Sequence, residues 1–279
     1  MFTHRIILSL ALVSAAATLP PAGAAEVQIP DEYKQGGFAI GAQAYTFNRF
    51  SLFEAIDKTA AAGGKVIELF PDQKLSKEEP NLKCNHNAAD EVLEKTKEKL
   101  KANHIMAVNY GVVGIPKDEA GARKIFEFAK KMGLRAITTE SVESIDTFEK
   151  LVKEYDIMVG FHDHPKQPNN PNYKMWDPNY ILSVVKDRDK RIGACADTGH
   201  WLTSDVDPLE ALHILQGRII SSHLKDRDRA GTKHIGNVIA RTARPAQGLR
   251  TDAPRRARGS SPPASFPDVD VGSRADETS

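Results

Sequence analysis

The feature that most constrains the fold of this chain is a regular alternation of strand-like and helix-like segments. Short apolar runs, typical of buried strands, are separated by amphipathic runs with helical spacing. The predicted strands are residues 38–47, 65–70, 104–113, 134–140, 156–164, 191–197 and 218–226. The predicted helices are residues 51–63, 88–103, 118–133, 144–155, 177–187 and 207–217. This repeat predicts parallel strands that are covered by helices.

The repeat favours a barrel over an open, doubly wound sheet. No glycine-rich phosphate loop follows the first predicted strand, and the number of strand–helix units approaches eight. We therefore predict an α/β fold of the (β/α)8 TIM-barrel type over residues 36–234, incomplete at its C-terminus because no eighth unit follows. In such barrels the active site lies at the C-terminal ends of the strands. A barrel that is open between its first and last strands exposes two edges, so self-association is also expected.

The two ends of the sequence do not fit the repeat. Residues 1–25 join a short basic segment, an apolar run and a small-residue exit, which predicts a signal peptide and a periplasmic or secreted protein. The alternative is a retained N-terminal anchor; no membrane span is expected in the mature chain, because no later segment reaches about 20 apolar residues. Residues 236–279 contain no lysine and are rich in Arg, Ala, Pro, Gly and Ser. We expect this tail to be disordered, or to be an aberrant terminus that replaces the last strand–helix unit.

Charge and cysteine content exclude some classes of protein. The formal net charge of +1 at pH 7 gives no reason to expect a nucleic acid as partner. Of the two cysteines, Cys84 falls in a polar loop and Cys195 inside an apolar strand, so the sequence does not favour a disulfide even in an exported protein. Cys195 is interpreted as a small core residue.

Ionisable side chains mark the ends of the later predicted strands. The stretch RIGACADTGHW (191–201) ends its apolar run in a carboxylate, while DIMVGFHDHP (156–165) and RIISSHLKD (218–226) run into imidazoles. Buried groups of this kind are costly unless they are paired or bind a metal. Mixed oxygen and nitrogen donors suit a divalent first-row ion such as Mn²⁺, Co²⁺, Zn²⁺ or Fe²⁺. The whole set is Glu68, Glu140, His162, His164, Asp197, His200, His223 and Lys225.

These residues also have structural interpretations, which the sequence leaves open. A histidine at a strand end is often a hydrogen-bonded structural residue. Asp197 could cap a following helix by accepting hydrogen bonds from backbone N–H groups. Glu68 could pair with a lysine across the barrel. The recurrence of potential ligands at the ends of four consecutive strands favours a shared metal site.

Three motifs in these stretches carry a family resemblance: HDHP (162–165), ADTGHW (196–201) and HLKD (223–226). They resemble motifs of the xylose isomerase-like TIM-barrel superfamily, and in particular of its sugar phosphate isomerase/epimerase proteins. In that superfamily a glutamate stands at the position of His162, and a last glutamate ligand comes from strand eight, which is not predicted here. The resemblance, with Glu140 expected to replace the missing glutamate of strand five, implies a metal held by Glu140, His164, Asp197 and His223.

The resemblance also implies a function. It implies a metal-dependent sugar isomerase or epimerase that transfers a proton through an enediolate on a free or keto sugar. The implied catalytic residues are Glu140, His162, His200 and Lys225, and the implied carbohydrate contacts are Glu68, His164 and Trp201. Alternatives are a sugar dehydratase or lyase of the same superfamily, and a catalytically inactive periplasmic sugar-binding barrel. Metal-dependent phosphodiester cleavage is disfavoured, because no basic surface for nucleic acid is expected.

Overall fold

The computed structural model describes residues 28–225 of the 279-residue chain. The predicted signal peptide (1–25) and the predicted tail (236–279) lie outside the described residues, as does the end of the predicted barrel beyond Lys225. Between residues 28 and 225, no helix is both long enough and apolar enough to cross a membrane.

Seven parallel strands form one sheet, and their order in the sheet follows their order in the sequence. The strands are β1 (Gly41–Gln43), β2 (Val66–Leu69), β3 (Met106–Tyr110), β4 (Ala136–Thr139), β5 (Met158–His162), β6 (Ile192–Asp197) and β7 (Ile219–His223). The sheet curls into a half-barrel, and within the described residues β1 and β7 each pair with one neighbour only. The prediction of an incomplete (β/α)8 barrel is therefore confirmed.

Helices connect the strands and cover the sheet. They are α1 (Leu52–Ala61), α2 (Asp90–Ala102), α3 (Glu119–Met132), α4 (Ile145–Tyr155), α5 (Pro178–Val185), α6 (Thr198–Thr203) and α7 (Pro208–Ile214). Local sequence signals define several of their ends. Ser51 and Glu54 form a capping box at the start of α1, and Gly133 ends α3 in the left-handed conformation at φ 68°.

The two faces of the sheet differ in polarity because side chains alternate along each strand. In β6, Ile192, Ala194 and Ala196 belong to the hydrophobic core, whereas Cys195 and Asp197 lie at the alternate positions with His223 and its neighbours. The helices bury the apolar face with residues such as Phe126 and Phe148 in α3 and α4. The opposite, concave face of the sheet carries the polar side chains. This arrangement places the ionisable residues inside the half-barrel.

The predicted length of the first strand is wrong. Residues 38–47 were expected to form one strand, but β1 covers only Gly41–Gln43, and a 3-10 turn, Ala44–Phe47, follows it. The Gln43 side chain accepts a hydrogen bond from the Tyr45 backbone N–H, which caps the turn and ends the strand. The short helix α6 is a second element that the periodicity does not predict.

Other contacts agree with the sequence or extend it. Cys84 and Cys195 are both free and buried. Burial was predicted for Cys195, whereas the burial of Cys84 was not expected of a residue in a polar loop. Arg135, just before β4, donates a hydrogen bond from Nη1 to the carbonyl oxygen of Ile220 in β7 at 3.1 Å. Because β4 and β7 are not neighbours in the sheet, this contact crosses the concave side and holds the half-barrel in its curled shape.

Candidate metal centre

The C-terminal ends of β4 to β7 bring ionisable side chains to one end of the half-barrel. Glu140 follows β4 directly, His162 ends β5, Asp197 ends β6 and His223 ends β7. In the register of the sheet, Asp197 lies beside His223, and His162 lies beside Cys195. The structure thus brings the predicted site residues of these strands together, while their roles stay predictions.

Asp197 is fully buried and uses its two carboxylate oxygens for different contacts. Oδ1 accepts hydrogen bonds from the backbone N–H groups of Gly199 at 3.1 Å and His200 at 3.0 Å, and so caps α6. Oδ2 lies 2.5 Å from Nζ of Lys225 and 3.5 Å from Nε2 of His162. The helix-cap interpretation of this motif is therefore correct, and the same carboxylate still offers an oxygen to the site.

The groups around Asp197 set its charge and that of His200. Burial would raise the pKa of the Asp197 carboxyl, but hydrogen bonds from His162 and His223 and the charge of Lys225 outweigh it and hold the pKa far below its usual range. Burial lowers the pKa of His200 to about 3, against the attraction of Asp197. At neutral pH, His200 is therefore uncharged, and its Nε2 accepts a hydrogen bond from Nζ of Lys225 at 2.9 Å.

His162 lies at the centre of a cluster of four histidine rings. Its Nδ1 is 3.3 Å from Nδ1 of His164, and its Nε2 is 3.0 Å from Nδ1 of His223. The His200 ring meets the His162 ring edge-on, with 5.6 Å between the ring centres. Burial lowers the pKa of His162. The ring is therefore neutral at pH 7, the form in which imidazole can accept a proton or bind a metal.

An open cleft of about 620 Å³ begins where Glu140 and His164 reach the surface of the site. The Glu140 carboxylate is hydrogen-bonded to Nδ1 of His164 and accepts a second hydrogen bond from the Tyr173 hydroxyl at 2.9 Å. Burial would raise the pKa of Glu140, but the hydrogen bonds from His164 and Tyr173 lower it overall. An ionised carboxylate and an imidazole therefore face the cleft together.

The loop that follows β5 forms one wall of this cleft. The Lys166 backbone N–H donates a hydrogen bond to Oγ of Ser204 at 3.0 Å, and the Lys166 ammonium lies 3.9 Å from the centre of the Trp176 ring. Nε1 of Trp176 donates a hydrogen bond to the Tyr173 carbonyl oxygen at 3.0 Å. Sequence reasoning missed Tyr173, because the loop has no periodicity. The only signal was an aromatic residue within a polar loop next to the predicted site.

Glu68 lies deeper than the cleft, although it was predicted to contact the sugar. Its Oε2 accepts a hydrogen bond from Nε2 of His223 at 3.0 Å, and Nδ2 of Asn109 lies 3.5 Å from the same oxygen. Sγ of Cys195 is 3.7 Å from Nε2 of His223. The Glu68 side chain is 6% exposed and does not belong to the described residues that line the cleft. This position favours contacts within the barrel over a contact with substrate.

Trp201 was also predicted to contact carbohydrate. The structure instead buries its side chain completely within the hydrophobic core. A ring in this position has no face to offer to a ligand, so the structure corrects this prediction to a packing role.

Three groups of side chains could each hold a divalent ion, and the ligand atoms in each group lie within 4.8 Å of one another. The groups are Glu140–His162–His164, His162–Asp197–His200 and Glu68–Cys195–His223. The predicted ligands are divided among these groups because the His162 ring lies between Glu140 and Asp197. Glu140 and His164 belong to the first group, Asp197 to the second and His223 to the third. The donor chemistry fits a divalent cation of the predicted kind.

The half-barrel has the fold of the xylose isomerase-like TIM barrels, as the resemblance in its motifs implied. A D-psicose 3-epimerase, solved in the presence of D-fructose, has the same fold with a TM-score of 0.53 at 13% identity, over 67% of this chain and 73% of that chain. A sugar phosphate isomerase/epimerase from Parabacteroides distasonis matches with a TM-score of 0.51 at 14% identity, over 75% of this chain and 84% of that chain.

Another solved structure is more similar to this chain in sequence. An uncharacterized protein from Parabacteroides distasonis is 31% identical to this chain, with a TM-score of 0.56, over 67% of this chain and 75% of that chain. The chain therefore belongs to the same family as this protein. No protein-family model matches the sequence, and no curated protein matches it.

Proposed function

We propose that the protein is a metal-dependent sugar isomerase or epimerase that acts on a free or keto sugar. The observation that carries the proposal is the convergence of carboxylates and imidazoles from β4 to β7 beside one open cleft. The fold is shared with a D-psicose 3-epimerase, which makes keto sugars the first substrate class to test. We also propose that the protein is exported, on the basis of residues 1–25.

The cleft-facing group is the best position for the catalytic cation. Glu140 and His164 both line the cleft, and His162 lies directly behind them. When bound, a divalent cation would stabilise the negative charge that develops on adjacent substrate oxygens during proton removal. Glu140 and His164 would hold it at the mouth of the site, within reach of a sugar in the cleft.

The remaining residues are arranged for proton transfer. Removal of a C–H proton next to a carbonyl needs a base and nearby positive charge to stabilise the enediolate. His162 is neutral at pH 7, so it can accept a proton, and the neutral His200 ring accepts a hydrogen bond from Lys225. The Lys225 ammonium supplies the positive charge, and its ion pair with the Oδ2 of Asp197 fixes its position. Isomerisation, epimerisation and water elimination share this first step.

Proton exchange tests the proposal directly. The full-length protein is incubated in D₂O with Mn²⁺, Co²⁺ or Zn²⁺ and a panel of keto and aldo sugars, and deuterium incorporation is followed by NMR. We expect metal-dependent exchange at the carbon next to the carbonyl of at least one sugar. Glu140→Gln should reduce the exchange rate by about a hundredfold or more, because it removes the charged side chain that would hold the cation at the cleft.

Matched variants separate site effects from general ones. Glu143→Gln alters an exposed glutamate on the same loop, and His213→Ala alters an exposed histidine on α7 as a control for His164→Ala. Both controls should exchange at the rate of the unaltered protein. Sugar binding without exchange would instead indicate an inactive binding barrel, and loss of a hydroxyl group would indicate a dehydratase.

A further inference from the structure

We propose that Glu68, Cys195 and His223 form a second metal site, inside the half-barrel, that binds a thiophilic divalent cation such as Zn²⁺. The three residues come from β2, β6 and β7. All three lie deep in the structure: Cys195 is fully buried, and the side chains of Glu68 and His223 are 6% and 14% exposed. This proposal goes beyond the proposed function and does not depend on it.

The geometry is already close to that of a zinc site. Nε2 of His223 lies 3.0 Å from Oε2 of Glu68 and 3.7 Å from Sγ of Cys195. A tetrahedral zinc ion with ordinary ligand bond lengths holds its oxygen, nitrogen and sulfur donors about 3.3 to 3.7 Å apart. Small side-chain movements would therefore place all three donors at bonding distance. A set of one carboxylate, one thiolate and one imidazole suits Zn²⁺ better than Mg²⁺ or Ca²⁺.

A second observation points into the same space. Oε1 of Glu68 and Oγ of Ser221 are buried and have no hydrogen-bond partner among residues 28–225. Ser221 lies beside Cys195 in the register of β6 and β7. Buried polar atoms without partners are costly, and a bound ion with a fourth ligand is one way to satisfy them. The interior of the half-barrel thus contains polar atoms that are left without hydrogen bonds and could contact a bound ion.

The second site is distinct from the proposed catalytic centre. The cleft-facing group uses Glu140, His162 and His164, and none of these belongs to the inner group. Binding at the inner group requires that the Cys195 thiol and Nε2 of His223 each lose a proton to solvent, which frees the sulfur and the Nε2 lone pair for the cation. The His223 ring proton then lies on Nδ1, which faces Nε2 of His162 at 3.0 Å and Oδ2 of Asp197 at 3.7 Å. The ring can therefore bind the cation on one side and keep a hydrogen-bond partner on the other.

The position of the site suggests what the ion would do. Glu68 is on the second strand and His223 on the seventh, and in the described part of the chain no backbone pairing joins β1 to β7. A cation bound by both residues would cross-link the two sides of the open sheet through its interior. Because an unfolded chain does not hold these donors together, the ion would stabilise the folded state by mass action.

Cobalt substitution tests the site through its sulfur ligand. The full-length chain is freed of metal with a chelator and titrated with Co²⁺, which gives a near-ultraviolet sulfur-to-cobalt charge-transfer band only when a thiolate is bound. The chain has two cysteines, so Cys84→Ala leaves Cys195 as its only thiol. We expect the band in the unaltered chain and in Cys84→Ala, its loss in Cys195→Ala, and its displacement by Zn²⁺. The Co²⁺-induced rise in melting temperature should be larger in the first two proteins than in Cys195→Ala, because the cleft-facing group is intact in all three.

The outcomes separate this proposal from the proposed function. His164→Ala should keep the sulfur band, because His164 belongs only to the cleft-facing group. A cobalt-loaded Cys84→Ala chain without the band would overturn the inner site, and this result does not require the Cys195 variant to fold. Retention of the band in Cys195→Ala would overturn it equally. A sulfur band in a protein that exchanges no sugar proton would count against the isomerase alone.

Discussion

Asp197 illustrates, at the scale of a single residue, how one side chain can serve both folding and the site. Its Oδ1 caps α6, while its Oδ2 faces Lys225 and the histidine cluster. The cap fixes the carboxylate in one rotamer, and this rotamer aims the second oxygen into the half-barrel. The local fold therefore positions a site residue without help from distant parts of the chain.

Substitution of Asp197 can separate the two roles. Asp197→Asn keeps an oxygen that can cap α6 but removes the negative charge that faces His162 and Lys225. We expect the affinity of the cleft-facing group for its cation to fall by about 10- to 100-fold, and the loss of the ion pair with Lys225 to lower stability. Asp197→Ala removes the cap as well and should lower the free energy of unfolding by about a further 1 kcal/mol. Metal titration and urea denaturation measure the two effects. Equal stability of the two variants would show that the cap is unimportant, and normal metal binding by Asp197→Asn would remove Asp197 from the site.

Residue identities at strand ends were predictable, but their partners were not. The ends of apolar runs identified His162, Asp197 and His223 because strand alternation and length are readable from sequence. The contact between Glu68 and His223 joins residues 155 positions apart and depends on how far the sheet curls. Trp201 illustrates the opposite error: its place next to a site motif suggested a ligand contact, but helix α6 turns the ring into the core.

Among the strands, β5 and β6 are fixed at their N-terminal ends, away from the site, by a network of ionic hydrogen bonds. Arg191, just before β6, bonds both carboxylate oxygens of Asp189 at 2.9 Å. Its Nη1 also lies 2.5 Å from Oδ1 of Asp156, which precedes β5. Bidentate pairs of this kind are strong and directional. They fix the starts of two strands whose far ends carry His162 and Asp197.

This network predicts a measurable dependence of stability on pH. The hydrogen bonds from Arg191 lower the pKa of Asp189 to about 2, whereas an aspartate in an unfolded chain titrates near about 4. The stabilisation is therefore complete above about pH 4 and is lost as the pH falls towards 2. Asp189→Asn should lower the free energy of unfolding by about 1 kcal/mol at pH 7 and by much less near pH 2.

Urea denaturation at a series of pH values measures this difference. Asp187→Asn, at an exposed position two residues away, removes the same charge without touching Arg191 and serves as the control. The control should show neither the loss at pH 7 nor its change with pH. A constant difference between Asp189→Asn and the unaltered protein at all pH values would contradict the assigned role of the ion pair.

The sequence predicts most of the helices and strands near their observed positions, with two exceptions, α6 and β1. Six amphipathic segments appear as helices near their predicted positions because their apolar spacing is clear, and four of them, α1, α3, α5 and α7, also begin with a side-chain cap. The helix α6 has only six residues, too few for a periodicity to stand out. Strand β1 is shorter than its apolar run because a side-chain cap at Gln43 starts a turn.

For the described structure as a whole, the two open edges of the sheet are the feature that bears on association. Apolar side chains near both edges face solvent: Phe38 and Ile40 are 73% and 51% exposed beside β1, and Leu224 is 82% exposed beside β7. Unpaired strand edges with apolar neighbours promote association. The strand count and the order of units were predictable from the repeat, which is local. The degree of curling was not, because it depends on contacts such as that of Arg135 with Ile220.

We expect the protein to self-associate through these edges as its concentration rises. Ile40→Lys places a charge beside β1 and should shift the sedimentation equilibrium towards the monomer. Leu209→Lys adds the same charge at a 61% exposed leucine on α7, a helix that packs against α5 and α6, and should leave the equilibrium unchanged. An unaltered protein that stays monomeric and melts cooperatively would contradict this expectation.

The loop after β5 affects the entropy cost of binding a ligand in the cleft. Its hydrogen bond to Ser204, the stacking of Lys166 on Trp176 and the link from Trp176 to Tyr173 order the wall of the cleft before anything binds. A wall that is already rigid loses little conformational entropy when a sugar enters. More of the intrinsic binding energy is then available to distinguish one sugar epimer from another. We therefore expect this ordered wall to determine which hydroxyl stereochemistry the cleft selects.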